Sequence, residues 1–164
     1  MIHGLSEDTN SVFSFGEGID EDKNRVQPNA FDFKISRVFR FKTDLFVLNE
    51  DDSKTHRQQE EIFPDENGFW TLTEGDYNVL TDVECEISEG EAGFVIQRSS
   101  LNRNGIFLTS GLYDSGFDNT VGCVMHVCGN GVFKVQRGSR IGQFILTKAE
   151  TLKLYNGSYN RKWI

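Results

Sequence analysis

Short apolar runs, each too brief for a helix and each cut off by turn residues, set the strongest limit on how this chain can fold. From residue 69 onward they read FWTLT, YNVLTDVECEI, GFVIQ, GIFLT, TVGCVMHVC, GVFKVQ and RIGQFILT. β-Branched and aromatic residues dominate them, and no stretch sustains the 3.6-residue apolar period of a helix packed on a core. Upstream, AFDFKISRVFRFK at 30–42 alternates apolar and polar residues with enough slippage to predict a bulge. Sixteen glycines against two prolines supply the turns. The expectation is therefore an all-β sandwich, jelly roll or barrel; a doubly wound nucleotide fold would need helices between the strands.

At 164 residues the chain is expected to form a single domain, 1–164, large enough to bury a core without disulfides or a structural metal. Within it, 1–29 reads as a polar arm or edge segment and 152–164 as a C-terminal tail. Residues 49–67, rich in charge and amides, read as an exposed excursion, with a short helix at 58–61 equally allowed. No apolar run approaches the roughly 18 residues of a membrane span. The start, MIHGLSEDTN, lacks the basic and apolar regions of a secretory signal, so the expected compartment is the cytoplasm. Three cysteines, Cys85, Cys123 and Cys128, form no spaced framework and read as reduced thiols.

The net charge of −8 argues against non-specific binding to nucleic acid or to an anionic membrane. It is unevenly spread. From residue 98 onward nine Lys/Arg face three Asp/Glu, a surplus of +6, whereas the first 97 residues carry eight against twenty-two, or −14. A cationic C-terminal portion in an acidic protein suits a small anionic ligand, although the acidic portion read simply as a solvated face remains open.

The run RSSLNRNGIFLTSGLYDSGFDNTVG at 98–122 concentrates the chemistry. Ser99 and Ser100 are good N-cap residues, Leu-Asn-Arg allows one helical turn near 99–103, and Asn104-Gly105 is a natural left-handed stop. Such a turn would aim N–H groups, hydroxyls and the Arg98 guanidinium at an anion; an ordinary capped turn is the alternative. In GLYDSGF, glycines bracket Asp114, which could position and deprotonate a water, while Phe117 could wall a sugar; Asp-Ser-Gly is also a common turn. Cys123, His126 and Cys128 have ligand-like spacing, but strand alternation separates Cys123 from the other two. Buried thiols and a satisfied histidine are expected there, and neither the zinc deaminase signature nor a G-x-S-x-G elbow is present. Later, Gln143 offers a bidentate amide, and LYNGSYNRKW carries two tyrosines around a glycine.

Taken together, these runs resemble the trimeric dUTPase and dCTP deaminase superfamily from about Gln27 to the tail. QPNAFD at 27–32 resembles the first motif in its deaminase form. Arg98, Ser99 and Ser100 are similar to the second, phosphate-binding motif, and 111–122 to the third. There Asp114 takes the place of the water-activating aspartate and Phe117 that of the sugar-stacking tyrosine. Residues 138–143 resemble the fourth motif, whose glutamine is Gln143. The resemblance implies a distorted jelly-roll β-barrel and a homotrimer with active sites between subunits.

Two activities divide the superfamily. SSLNR, with Ser99 and Arg103 in matching places, and the tail around Tyr155 and Tyr159 are similar to deaminases. The deaminase reaction needs a proton-carrying carboxylate ten residues after the motif-three aspartate, where this chain has Val124. The tail position usually held by lysine is Ser158, and the spacing from Arg98 to Asp114 is shorter than in typical dUTPases, whose glycine-rich fifth motif is also replaced. The expected function is thus a dUTP diphosphatase: Asp114 as base; Arg98, Ser99, Ser100, Arg103, Gly111, Phe117, Gln143, Tyr155 and Tyr159 around the substrate. Mg2+ would come with dUTP, with Asp32 near the metal's water shell and backbone groups between about 105 and 111 on the base. A dCTP deaminase, a bifunctional enzyme using dCTP, or a non-catalytic deoxynucleotide-binding regulator are the alternatives.

Overall fold

The computed structural model describes residues 1–16 and 23–161. The acidic run at 17–22 and the tail's last residues, 162–164, lie outside the described residues. In chain order the elements are β1 (Val12–Phe15), a 3-10 turn (Lys23–Arg25), β2 (Phe31–Phe41), β3 (Val47–Leu48), β4 (Lys54–Thr55) and β5 (Gln59–Ile62). Then follow β6 (Phe69–Glu86), β7 (Glu91–Gln97), α1 (Ser99–Asn102), β8 (Ile106–Thr109), β9 (Asp118–Gln136) and β10 (Arg140–Lys148). The fold is all-β with one helical turn, as the runs predict.

The main sheet runs β7-β10-β2-β6-β9-β8, with β1 added to β6 and β5 to β2. Its two ends approach one another. Gly93 and Tyr113 exchange backbone hydrogen bonds of 2.9 and 2.7 Å. The Val95 N–H reaches Ser110 Oγ at 3.3 Å and the Leu108 N–H reaches Gln97 Oε1 at 3.2 Å. The sheet thus curls into a nearly closed barrel, which leaves few unpaired edges. Residues 59–62, open to helix or excursion from sequence, pair with β2 as a strand. Segment 1–29 contributes an edge strand, and Glu91 anchors the residues before it: Thr9 and Ser11 hydroxyls and the Asn10 N–H all donate to its carboxylate.

Two strands are longer than their sequence runs suggest. β6 joins FWTLT to YNVLTDVECEI, and β9 joins TVGCVMHVC to GVFKVQ, because the pairing continues across a register shift between Thr73 and Gly75. Opposite that shift, residues 128–131 loop out, with Gly129 and Asn130 at φ 73° and 56°, the left-handed region glycine and asparagine enter most cheaply. The expected bulge in β2 falls between Ile35 and Arg37.

Inside the barrel Phe31 and Phe144 stack at 5.9 Å, with Phe13 edge-on to both at 4.9 and 5.1 Å. Each fully buried side chain of this kind contributes about 1.5–3 kcal/mol. Gly142 is required by this packing: a Cβ there would lie 2.3 Å from the Phe33 ring and 2.7 Å from the Ile96 carbonyl oxygen. That close approach fixes the backbone beside Gln143.

Candidate active site

Two separate groups of functional side chains emerge. The first surrounds Asp32, which points away from its strand neighbours Phe31 and Phe33 and is nevertheless fully buried. Polar side chains bury it. Arg140 Nη1 and Gln27 Nε2 donate to Oδ2 at 3.0 and 3.1 Å, and Gln143 Nε2 donates to Oδ1 at 3.1 Å. Arg98 Nε stands 3.6 Å from Oδ2. Beneath them Arg25, also fully buried, donates to the Asp32 carbonyl and pairs with Asp82. Pairing in β10 and β2 sets Gln143 opposite Asp32, while Arg98 directly follows β7 with its N–H on the Ile141 carbonyl. This network of β2, β10 and the β7–α1 junction gathers three arginines around two aspartates.

The helical turn itself departs from expectation in one respect. Its cap is Arg98, extended at φ −68° and ψ 152° without a side-chain cap bond, rather than Ser99 or Ser100. The last sheet bond holds Arg98 in strand geometry, so the serines fall inside the turn. Ser99, Ser100 and Arg103 are exposed, and their side chains have no hydrogen-bond partners among the described residues. Gly105 closes the turn at φ 72°.

The second group lies on the loop joining β8 to β9. Its register is fixed by Tyr113, whose hydroxyl donates to the Gly122 carbonyl and accepts the Gly122 N–H at 3.0 Å. Burial pushes the pKa of this phenol up, so it keeps its proton. Phe117 packs edge-on to Tyr113 at 5.1 Å, and Tyr155 tilts against Phe117 at 5.8 Å. Gly111, Tyr113, Phe117, Thr120, Gly122 and the tail tyrosines Tyr155 and Tyr159 line a cavity of about 660 Å³. The backbone at 106–109, expected near the base, is engaged in pairing with β9, so the cavity wall begins at Gly111.

Asp114 stands on the rim. It is exposed, its carboxylate has no hydrogen-bond partner among the described residues, and it lines an adjoining cleft with Leu112 and Tyr155, which face both spaces. Gly116, at φ 93°, lets the tail lie against the loop: a Cβ there would come within 3.0 Å of the Tyr155 nitrogen. Among the described residues the tail forms no strand. Instead the Tyr155 N–H binds the Ser115 carbonyl at 2.7 Å, and Asn160 bridges the Asp118 N–H and the Gly116 carbonyl.

Arg98, Gln143 and Asp32 therefore meet, and so do Gly111, Phe117, Tyr155 and Tyr159. The two sets do not share a cavity: Gln143 opens onto a depression with Gln27, Ala30, Phe94 and Ile96 instead. Among the described residues no three His, Cys, Asp or Glu side chains gather as a metal-ligand set. Cys123 is buried and its thiol is pushed up to about 12 by desolvation. Cys128 is exposed, contrary to the expected buried thiol, because it sits where the chain loops out. His126 is satisfied, by Asp76 at 2.6 Å and Thr109 at 2.8 Å, and Phe107 stacks on it at 4.6 Å. Sequence reading did not find Arg140 or Arg25, whose carboxylate partners Asp32 and Asp82 lie far away in the chain, nor Tyr113, whose bonds to the nearby Gly122 carry no sequence signature.

A family model described as dCTP deaminase-like matches residues 15–149. The chain belongs to that family. Among curated relatives it is 29% identical over 143 residues to a probable deoxyuridine 5'-triphosphate nucleotidohydrolase of Methanopyrus kandleri, covering 87% of this chain and 92% of the other. A protein of the same description from Methanothermobacter thermautotrophicus is 30% identical, with 82% and 87% covered. A dUMP-forming dCTP deaminase of Persephonella marina is 25% identical, with 84% and 79% covered. Among solved structures, the 2'-deoxycytidine 5'-triphosphate deaminase of Agrobacterium tumefaciens shares the fold at a TM-score of 0.61 and 15% identity. The match takes in 84% of this chain but 44% of that one, so the present chain spans under half its length.

Proposed function

We propose that this family member is a dUTP diphosphatase, releasing dUMP and pyrophosphate, and that its active site is completed by a second and third copy of the chain. The observation that carries the activity is the pair Asp114 and Val124. The first is an exposed, unpaired carboxylate, and the second, ten residues on, offers no group that can carry a proton to a pyrimidine amino carbon. Hydrolysis at phosphorus needs the Asp114 carboxylate; deamination needs a proton-carrying group where Val124 stands.

In this reading Asp114 takes a proton from a water held at the rim. The water oxygen bonds to the α-phosphorus as the bond from that phosphorus to the α–β bridging oxygen breaks, and pyrophosphate departs. Arg98, Ser99, Ser100, Arg103 and Gln143 hold the phosphates. Phe117 packs on the sugar where a 2'-hydroxyl would collide with it, and Gly111 with Tyr155 and Tyr159 encloses the base. Because no metal-ligand set gathers among the described residues, a magnesium ion would arrive as part of the nucleotide chelate, where it would offset charge developing on the phosphates. Both Asp32 oxygens already accept protein donors, so its part is to hold Arg98, Arg140 and Gln143 in place; meeting the metal's water shell would require it to release one of them.

The separation of the two groups supports the homotrimer. Neither cavity in a single protomer contains both a phosphate clamp and Asp114, and a cyclic assembly supplies one from each neighbour at every site. The deciding assay supplies dUTP or dCTP with Mg2+ and follows pyrophosphate and ammonia together. Pyrophosphate from dUTP is expected. Ammonia from dCTP would overturn the argument from Val124, and binding without turnover would identify a regulatory protein on the same scaffold.

A further inference from the structure

The excursion between β2 and β5 is more ordered than its composition suggests. Its stem is closed by Lys42 N–H to the Gln58 carbonyl at 2.9 Å, by Gln58 N–H to Asp44 Oδ2 at 3.0 Å, and by Arg57 on the Lys42 carbonyl at 3.0 and 2.7 Å. Its tip is a two-stranded ribbon, β3 on β4, turned through Asp52 at φ 65°. A rigid stem and a paired tip can position a side chain, which a loose loop cannot.

Those side chains reach the nucleotide cavity. His56 stacks on Phe46 at 5.9 Å and meets the Tyr159 ring edge-on at 6.2 Å, while Lys54 Nζ lies 5.8 Å from the centre of that ring. The tail backbone is held from the other side. Asn119 Nδ2 donates to the Tyr159 carbonyl at 2.8 Å, the Arg161 N–H to the Asp118 carbonyl at 2.8 Å, and the Tyr159 N–H to the Tyr155 hydroxyl at 3.3 Å. The loop after β8 thus fixes where the tail runs. The orientation of the ring, half exposed and lining the cavity, is set by the excursion.

We propose that residues 44–58 form a third wall of the nucleotide site, with His56 and Lys54 as positioning residues that hold Tyr159 across the cavity mouth before ligand arrives. An edge-to-face aromatic contact and a cation over a ring have directional preferences, so together they select one ring orientation. A ring already oriented costs less ordering on binding, and its loss appears in affinity rather than in the chemical step. The substrate side of this inference rests on the dUTP reading above.

The test compares wild type with the His56→Ala/Lys54→Ala double variant and with His56→Phe, which keeps the aromatic edge. The Tyr159 side-chain rotamer population, read from its couplings by nuclear magnetic resonance without nucleotide, and KM and kcat for dUTP, are the readouts. The double variant is expected to average the Tyr159 rotamers and to raise KM about tenfold, with kcat within about twofold, and His56→Phe to recover most of the loss. An unchanged rotamer population and unchanged KM in the double variant would overturn the proposal. So would equal losses in His56→Phe and His56→Ala/Lys54→Ala. Should wild type fail to turn over dUTP, the diphosphatase reading falls while the rotamer data still judge the positioning role.

Discussion

Asp32 and Asp114 are the same residue type set to opposite tasks. Asp32 is sealed from solvent, with both oxygens bonded and two guanidiniums beside it. Asp114 stands in solvent with no partner among the described residues. A carboxylate whose oxygens are both engaged by protein donors has none left for a water, and an unpaired one is a poor scaffold. With one on β2 and the other on the loop between β8 and β9, the proposed clamp would be rigid where it meets phosphate while the rim stays free to take a proton.

The sharpest way to break this division is Asp114→Asn. It should slow turnover about 10²–10⁴-fold while leaving affinity for a non-hydrolysable dUTP analogue largely intact; comparable turnover would end the assignment. Asp32→Ala should show the reverse emphasis, with a loss of about 3–5 kcal/mol in unfolding free energy because two arginines are left facing each other. A denaturation midpoint that moves no more than that of Asp114→Asn would show that the network is not structural.

Mixing tests the separation itself. Arg98→Ala and Asp114→Asn chains, each inactive alone, should regain about a quarter of wild-type activity when assembled together, since random trimers pair an intact clamp with an intact rim at that frequency. No recovery would place both groups of each site in one protomer.

The smallest effect concerns pH. Burial of Glu91 would raise its pKa, but the hydrogen bonds from Ser11, Thr9 and Asn10 outweigh this and hold it below the usual carboxylate range. A depressed folded-state value means that the stabilisation is complete above the ordinary glutamate pKa and is lost as pH falls through the folded one. Glu91→Gln should therefore flatten the acid limb of the stability curve. An unchanged limb would assign acid sensitivity elsewhere.

What was legible in the sequence was local. Strand runs, the bulge near Ser36, the turn at 99–103 and the glycine-bracketed Asp114 all depend on residues a few positions apart. The Asp32 network was only half legible. Gln143 and Arg98 could be named from motifs, but Arg140 is 108 residues from its partner and no pattern in the chain announces that pairing. The cap at Arg98 was misplaced for a related reason: serine propensity is local, while the bond from Arg98 N–H to Ile141 belongs to the sheet. The excursion read as a charged loop because its order comes from stem bonds and from the contact of His56 with the distant Tyr159 ring.

Tyr113 makes the loop that carries Asp114 observable from outside. Its phenolic proton is buried, retained by a raised pKa and donated to the Gly122 carbonyl, while the phenol oxygen accepts the Gly122 N–H. Such a proton exchanges with solvent only when the loop opens. In a nuclear magnetic resonance spectrum it would mark the closed loop, and its broadening on warming or on adding nucleotide would time any opening of that loop.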